Sequence, residues 1–466
     1  MLRPLIFIHR YLAVAVGFFM ALWCLSGFVM MYQPFPAFTD AERLASLAPL
    51  RLTDCCADLG DSFEAAAGWR IEMLQGRPVL RQGASAPIDL VTGRRMEPLP
   101  PDQLLVLAAE YAGRRHIAAA PRILGSVDID QWSLQAASRN QPAWRIALGD
   151  STATELYFNG TTGEIFQDTT RRERVLSWLG AIPHWLYPTA LRSHAVLWSR
   201  VVIWASVLGT FLVLLGLVIG VSRLRSADGS TGSPFRGWWY WHHMAGLVFG
   251  LLTLTWVFSG LATMNPWGWL EGSDAAARLP AQVAGTPPAT TLRQFLGEAP
   301  TRLARMDFVQ LRALPLGGEL FVVAYRADGS SLRLDAMAIP APLDVTTLRR
   351  ALGGVGQLES MELLRSEDYY YYGHHQQVAL PVWRAILADD GHTRLYVSEH
   401  TGEMRVVDSD ARWMRWLEGG LHGMDFPGLR RRPLWDLATL LLLAGVTAVC
   451  ITGGWMAIQR VRRDLS

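Results

Sequence analysis

The chain contains no lysine; all 43 basic side chains are arginine. Phosphate-cradling loops of the usual kind and Schiff-base chemistry both lose their central residue with it. Charge is scarce as well, at 18% of residues against the quarter or so of an ordinary globular chain. The 43 basic and 41 acidic groups nearly cancel, so no overall field draws nucleic acid, and none is expected as a partner. No G-x-G-x-x-G fingerprint follows a strand, which removes the common flavin and nicotinamide folds. Of the four cysteines, Cys24 and Cys450 fall inside apolar runs. Cys55 and Cys56 are adjacent, either bridged to each other or free, and no C-x-x-C metal or redox pattern exists. No catalytic role is assigned to them.

What the chain has in abundance is apolar sequence. Half of its 466 residues are hydrophobic, and the mean hydropathy is +0.17. Four runs are long enough for a bilayer core, which takes about 20 helical residues: Leu5 to Tyr32, Val196 to Val221, Trp238 to Met264 and Leu434 to Ile458. The first is longer than a signal core and has no small-x-small cleavage site after it, so it reads as a retained anchor. Four crossings place the tail 459–466 and the loop 222–237 on the same side as the N-terminus. Two domain-sized segments, 33–195 and 265–433, then lie on the other side. Arg3, Arg10, Arg223, Arg225, Arg236, Arg460, Arg462 and Arg463 mark the short-loop side as cytoplasmic. Arg171, Arg172, Arg174 and Arg430 to Arg432 oppose them, but long segments translocate largely regardless of charge.

The two halves resemble each other. Adding 233 carries His9, Gly17, Trp23, Ser26 and Gly27 onto His242, Gly250, Trp256, Ser259 and Gly260. Adding 239 carries Trp144-Arg145, Leu156-Tyr157 and Thr162-Gly163-Glu164 onto Trp383-Arg384, Leu395-Tyr396 and Thr401-Gly402-Glu403. An offset of 238 carries Trp178-Leu179 and His184 onto Trp416-Leu417 and His422. Each half reads as helix, outer domain, helix. In the outer segments, 144–148 and 155–167 have the β-branched, Asn-Gly and Thr-Gly language of hairpins. Residues 101–113 and 346–352 predict helices, and the proline-rich stretch 279–290 predicts a linker or extended edge.

Four histidines occupy equivalent positions. His9 and His242 each continue along one helical face into small residues, Ala13, Gly17, Cys24 and Gly27 in one helix and Gly246, Gly250, Val257 and Gly260 in the other. Such a face also serves simple helix packing. An imidazole inside the membrane at the same point of both repeats favours ligation, because ionisable groups are costly there without partners. A flat macrocycle needs this kind of shallow face beside its axial ligand. His243 points about 100° away from His242 and maps onto Arg10. His242 is therefore the expected ligand, leaving His243, Arg10 and Arg236 as candidate partners for haem propionates. His184 and His422 form the second symmetric pair at the opposite face. His194, equivalent to Arg432, lacks a repeat partner and stands as an alternative ligand.

Two imidazoles at each end leave zinc two ligands short, whereas haem brings four nitrogens and needs two axial ligands. The run Asp368-Tyr369-Tyr370-Tyr371-Tyr372-Gly373-His374-His375 adds oxygen and imidazole donors suited to ferric iron or an iron chelate. Tyr370, Tyr372, His374 and His375 are the candidate substrate residues of that run. Its structural alternative is an aromatic strand packed on the domain core, as its counterpart Asp130-Gln131-Trp132 suggests.

Taken together, His9-Arg10-Tyr11-Leu12, Trp383-Arg384, Thr393-Arg394-Leu395-Tyr396, Thr401-Gly402-Glu403, His422-Gly423-Met424-Asp425-Phe426-Pro427 and Arg432-Pro433-Leu434-Trp435-Asp436 resemble the PepSY-associated transmembrane family of bacterial inner-membrane proteins. The resemblance covers nearly the whole chain. It implies two periplasmic α+β PepSY-like domains carried on a four-helix transmembrane bundle. Some members look like b-haem ferric-siderophore reductases, which pass electrons outward and release iron as Fe(II). The expectation is therefore a dihaem electron conduit, with one haem b at His9 and His242 and one at His184 and His422. Its donor is a quinol or a partner protein, and its acceptor a ferric chelate. The rival expectation is a membrane-bound module that holds a peptidase or envelope partner, with the histidines as packing residues.

Overall fold

The computed structural model describes residues 2–53, 55–56, 68–134, 136, 139–224 and 232–465; Arg225, counted among the short-loop arginines, lies outside them. Four helices are long and apolar enough to cross a membrane: α1 (Leu2–Met30), α7 (Ala195–Ser222), α8 (Trp238–Thr263) and α13 (Leu434–Leu465). The last outruns its apolar stretch by two turns, because arginine is a good helix former and Arg460 pairs with Asp464 at 3.0 Å one turn on. Phe18, Trp204, Phe211, Leu251, Leu437 and Leu441 stand exposed on these helices, the lipid-facing side of a multi-pass membrane protein. Exposed Trp238, Trp239 and Trp241 at one end of α8, and Trp267 and Trp269 beyond the other, sit where interfacial aromatic belts lie.

α1 packs against α7 and α13, and α8 packs against the same two. The helices that carry His9 and His242 are therefore diagonal across the bundle, facing its centre. Met20, Cys24, Leu443, Val446 and Cys450 fill the middle, with Trp23, Phe249, Trp256 and Val257 packed around them.

Between α1 and α7 the chain forms α2 (Asp40–Ser46), β1 (Arg70–Leu74), β2 (Arg77–Arg81), β3 (Ile88–Asp89), α3 (Pro101–Arg114), β4 (Arg122–Val127), β5 (Ala143–Ala147), β6 (Glu155–Asn159), β7 (Ile165–Thr169), α4 (Arg171–Leu179), α5 (Ala181–His184) and α6 (Thr189–Arg192). Between α8 and α13 come α9 (Asp274–Ala284), α10 (Ala289–Arg302), β8 (Gln310–Ala313), β9 (Val322–Tyr325), β10 (Ser331–Leu334), α11 (Val345–Gly353), β11 (Leu358–Leu364), β12 (Val382–Leu387), β13 (Arg394–Ser398), β14 (Met404–Val407), α12 (Ser409–Met414) and a π-helical turn (Arg415–His422). The antiparallel sheet β4-β5-β6-β7 is covered by α3, whose Leu104, Leu107 and Tyr111 pack on Ile146, Leu156 and Phe158. The sheet β11-β12-β13-β14 is covered in the same way by Leu348 and Leu352 of α11. The hairpin predicted from 155–167 turns at Asn159, whose Oδ1 accepts the N–H groups of Thr161 and Thr162. Gly163 closes that turn at φ +70, where a Cβ would also meet Leu99 at 2.8 Å.

Three expectations need correction. The segments 33–195 and 265–433 are not two separate units: a third sheet runs β10-β9-β8-β1-β2-β3, with Ile71 opposite Leu311 at its central pair. Glu72 is buried there beneath Arg43 and Arg81, at 2.7 and 2.9 Å, and also takes a hydrogen bond from Gln310 of the other segment. The stretch 279–290 is not an extended linker, because α9 and α10 occupy most of it. Pro280 is tolerated inside α9 because Ala276, Leu279 and Val283 bury one face of the helix, and Ser273 caps it. The tyrosine run is not a strand, since β11 ends at Leu364. Asp368 instead bends the backbone by accepting from the N–H groups of Tyr370 and Tyr371, while its other oxygen holds Arg384 and Tyr396. Asp130 does the same with Trp132, Ser133, Arg145 and Tyr157.

Cys55 and Cys56 are bonded to each other, packed on the core beneath the six-stranded sheet.

Candidate functional site

A carbonyl oxygen only accepts hydrogen bonds, so an imidazole nitrogen facing one must carry the proton. Nδ1 of His9 donates to the Leu212 carbonyl of α7 at 3.1 Å. Nδ1 of His184 donates to the Trp23 carbonyl of α1 at 3.1 Å, with Ser26 Oγ at 3.2 Å. Nδ1 of His422 stands in the same relation to α8, at 3.2 Å from both the Trp256 carbonyl and Ser259 Oγ. His242 faces Thr452 Oγ1 of α13 at 3.1 Å, and since that hydroxyl gives its own proton to the Ala448 carbonyl, it accepts from Nδ1. All four rings are thereby fixed as Nδ1–H tautomers, and Nε2, the nitrogen that could take a metal, has no hydrogen-bond partner among the described residues.

The ring contacts are matched as well. His9 lies against Gly216 and His242 against Gly453, where a Cβ would sit 2.9 Å from each ring. A Cβ on Gly260 would sit 3.2 Å from His422, and one on Gly27 4.0 Å from His184. His184 and His422 face each other with ring centroids 6.1 Å apart and planes crossed at 63°. Two axial imidazoles need about 2 Å from iron to nitrogen and roughly 1 Å more to the ring centre on each side, or about 6 Å in all. The pair therefore fits a six-coordinate iron between its rings. Burial, with the charge of His422 adding to it, pushes the His184 imidazole down to about 4, and burial lowers His422 too. From His9 to Ser26 is 17 residues, so the two pairs are separated by about 25 Å of helix. Among the described residues no group of three or more His, Cys, Asp or Glu side chains could hold a bare metal ion.

The remaining candidates fall elsewhere. His243 uses both nitrogens, donating from Nε2 to the Gly220 carbonyl and accepting from Ser233 Oγ, each at 2.8 Å. Both of its ring nitrogens are thereby occupied. His194 is exposed and bonds within its own turn, to Ser193 and Ala190. Arg10 is half-buried next to His9, and Arg236 is exposed six residues before His242. Tyr370 packs with Val382, Tyr396 and Val407 under the Arg394 guanidinium, so it belongs to the domain core. Tyr372, His374 and His375 gather instead at the outer end of α13, where both imidazoles pack on Trp435. Burial and the charge of Asp425 push the Tyr372 phenol up to about 12.

Sequence reasoning missed the supporting partners Leu212, Gly216, Thr452 and Gly453. Gly216 and Gly453 differ by 237, so the repeat carried a signal for them; Leu212 acts through its backbone and carried none.

A family model described as PepSY-associated TM region matches residues 7–460. No curated protein matches the chain at a significant level.

Proposed function

The chain belongs to the PepSY-associated transmembrane family, and from that premise we propose that it is a dihaem b-type electron conduit that reduces a ferric chelate. One b haem is held by His9 and His242 and the other by His184 and His422. The observation that carries this reading is the His184–His422 pair, 6.1 Å apart with each Nδ1–H tied to a backbone carbonyl. The offsets relating the halves support a two-fold repeat in which each half contributes one ligand to each site.

A bound haem supplies one-electron carriage at a potential set by its ligands and burial. The protein does the rest. Carbonyl and hydroxyl partners hold the imidazoles in orientation and raise their basicity. Glycines at 216, 453, 27 and 260 let the rings lie against neighbouring helices. The packed cluster around Met20, Cys24 and Cys450 keeps water out of the span between the sites. The donor is a quinol or a partner protein at the His9 end. The acceptor, a ferric siderophore or similar chelate, meets the outer face near Tyr372, His374 and His375 and leaves as Fe(II). The family resemblance implies the inner membrane, and the arginine distribution puts both termini in the cytoplasm and the sheets in the periplasm.

The test is the visible spectrum of the purified protein. The expected result is the sharp reduced bands of low-spin b haem, two equivalents per chain, with about one lost in each of His9→Ala and His422→Ala. Reduced protein should then be reoxidised by a ferric chelate, with Fe(II) appearing in a ferrous-specific chromogenic trap. A featureless visible region would overturn the reading in favour of a non-redox binding module.

A further inference from the structure

One side of α4 is uncovered. Arg171, Arg172, Val175, Trp178 and Leu179 are all exposed, the three apolar ones by more than half. At 3.6 residues per turn these five positions fall within about 120° of the helix circumference, so they form a single face. The other side is fully used. Ser177 is buried, and Arg174 reaches the Thr169 and Ala153 carbonyls and Glu155. Glu173 closes a capping box with Thr170. Among the described residues, no side-chain hydrogen bond or ion pair engages Arg171 or Arg172. A helix N-terminus carries partial positive charge, so two such guanidinium groups in the first turn are a cost to the helix.

The fold sets this face at the edge of the membrane-crossing bundle. Gly180 joins α4 to α5, and a Cβ there would stand 3.1 Å from Val29, in the last turn of α1. Trp178 and Leu179 are therefore within one helical turn of the apolar boundary, on the side where Trp267 and Trp269 stand exposed beyond the end of α8. Arg171 lies about 12 Å farther along α4 from Leu179. The face thus grades from apolar at the bundle to basic away from it, as a phospholipid grades from chain to headgroup. In the other half an offset of 238 turns Arg171, Arg172 and Val175 into Ser409, Asp410 and Trp413. Trp413 keeps the exposed apolar position, whereas Asp410 is an acid that accepts from the Gly272 N–H. That half is built without the basic pair, so Arg171 and Arg172 answer to something other than helix formation.

We propose that this face of α4 lies in the bilayer interface on the side of the sheets and holds an anionic phospholipid there. Val175, Trp178 and Leu179 lie among the upper acyl-chain segments, and Arg171 and Arg172 take the phosphate and the acidic headgroup. A guanidinium pairs a phosphate through two parallel N–H bonds, and indole is at home at headgroup depth. An interfacial helix gains from both parts at once, apolar area and attraction to anionic lipid. The occupant is lipid because the face continues the lipid-facing surface of α1, and because its charge complements a phosphate rather than another basic surface. The proposal needs only the membrane-crossing bundle and is independent of the haem reading.

Cys24 and Cys450 are buried and Cys55 is bonded to Cys56, so Leu179→Cys gives the full-length protein one thiol open to a fluorescent label. The labelled protein is placed in vesicles of phosphatidylcholine and phosphatidylglycerol, with bromine on the acyl chains of one lipid or the other. Bromine on either lipid should quench the label, and bromine on phosphatidylglycerol should quench it more. Replacing Arg171→Gln and Arg172→Gln should remove that preference, by roughly fivefold for each arginine, while quenching by phosphatidylcholine remains. No quenching by either lipid overturns the interfacial placement and leaves the face to a protein partner. Quenching without a preference, or a preference that survives loss of both arginines, overturns the anionic-lipid assignment. Glycerol phosphate added at constant ionic strength should not compete; if it abolishes the preference, the arginines bind a soluble anion and the lipid assignment falls.

Discussion

A glycine beside an imidazole is a constraint that one methyl group tests. At Gly453 a Cβ would stand 2.9 Å from the His242 ring, and neither the helix nor the Thr452-anchored imidazole has free room to yield. Gly453→Ala should displace that ring and empty or perturb the inner site while the outer site keeps its spectrum; Gly216→Ala should do the same through His9. Haem counting against reduced-band position checks this, and a normal inner site in both variants would contradict the packing. Ser259→Ala asks a gentler question, because His422 keeps its carbonyl partner. Loss of the hydroxyl that steadies this imidazole should weaken haem retention at the outer site by roughly 10-fold or more, measured by transfer to an apo-acceptor protein. These partners were only partly legible beforehand. The proposed ligands stood out because ionisable groups at matching positions of the two halves are conspicuous, and the serines because they recur in both halves. Leu212, Trp23 and Trp256 act through carbonyl oxygens, which any residue supplies, so no side-chain pattern marks them.

Among the elements, the join between β1 and β8 is where sequence was least informative. Each half carries its own hairpin language, and nothing in the alternation of β1 announces that its partner is 240 residues away. The polar residues give the reason for the pairing in retrospect: Glu72 gathers Arg43, Arg81 and Gln310 across that seam. Burial alone would raise the Glu72 carboxyl, but the charges of Arg81, Arg70 and Arg43 outweigh it and hold it below the ordinary glutamate range. A carboxylate with a depressed folded-state pKa stabilises the fold above its unfolded value, and that contribution is lost as pH falls through the folded one. The outer region should therefore lose stability below about pH 4, the usual glutamate range. Glu72→Ala, which takes the buried carboxylate from Arg43 and Arg81 and leaves Glu164 as the acidic partner of Arg70 and Arg81, should cost on the order of 3 kcal/mol at neutral pH and blunt that acid dependence. Denaturant melts of wild type and variant at two pH values measure both, and an unchanged midpoint would show that the seam is held by its apolar strands alone.

At the scale of the whole molecule, the four-helix bundle and the two PepSY-like sheets could be read from hydropathy and offsets, because length, apolarity and turn chemistry are local properties. Which parts depend on each other could not. Each proposed site takes one imidazole from each half, α1 contacts α13, α7 contacts α8, and the six-stranded sheet is shared. The halves are thus not autonomous in structure. The described residues on either side of 225–231 end α7 and lead into α8, so a cut there divides no strand and no membrane-spanning helix. Residues 1–228 and 229–466 expressed together should therefore reassemble into a complex that retains both haems. Either piece alone lacks one ligand of every pair and half of the central sheet, and should bind none. Co-purification through a tag on one fragment, followed by haem quantification, distinguishes the outcomes. Stable haem in a lone fragment would mean that a site can close within one half, and the diagonal placement of α1 and α8 would then not be what builds it.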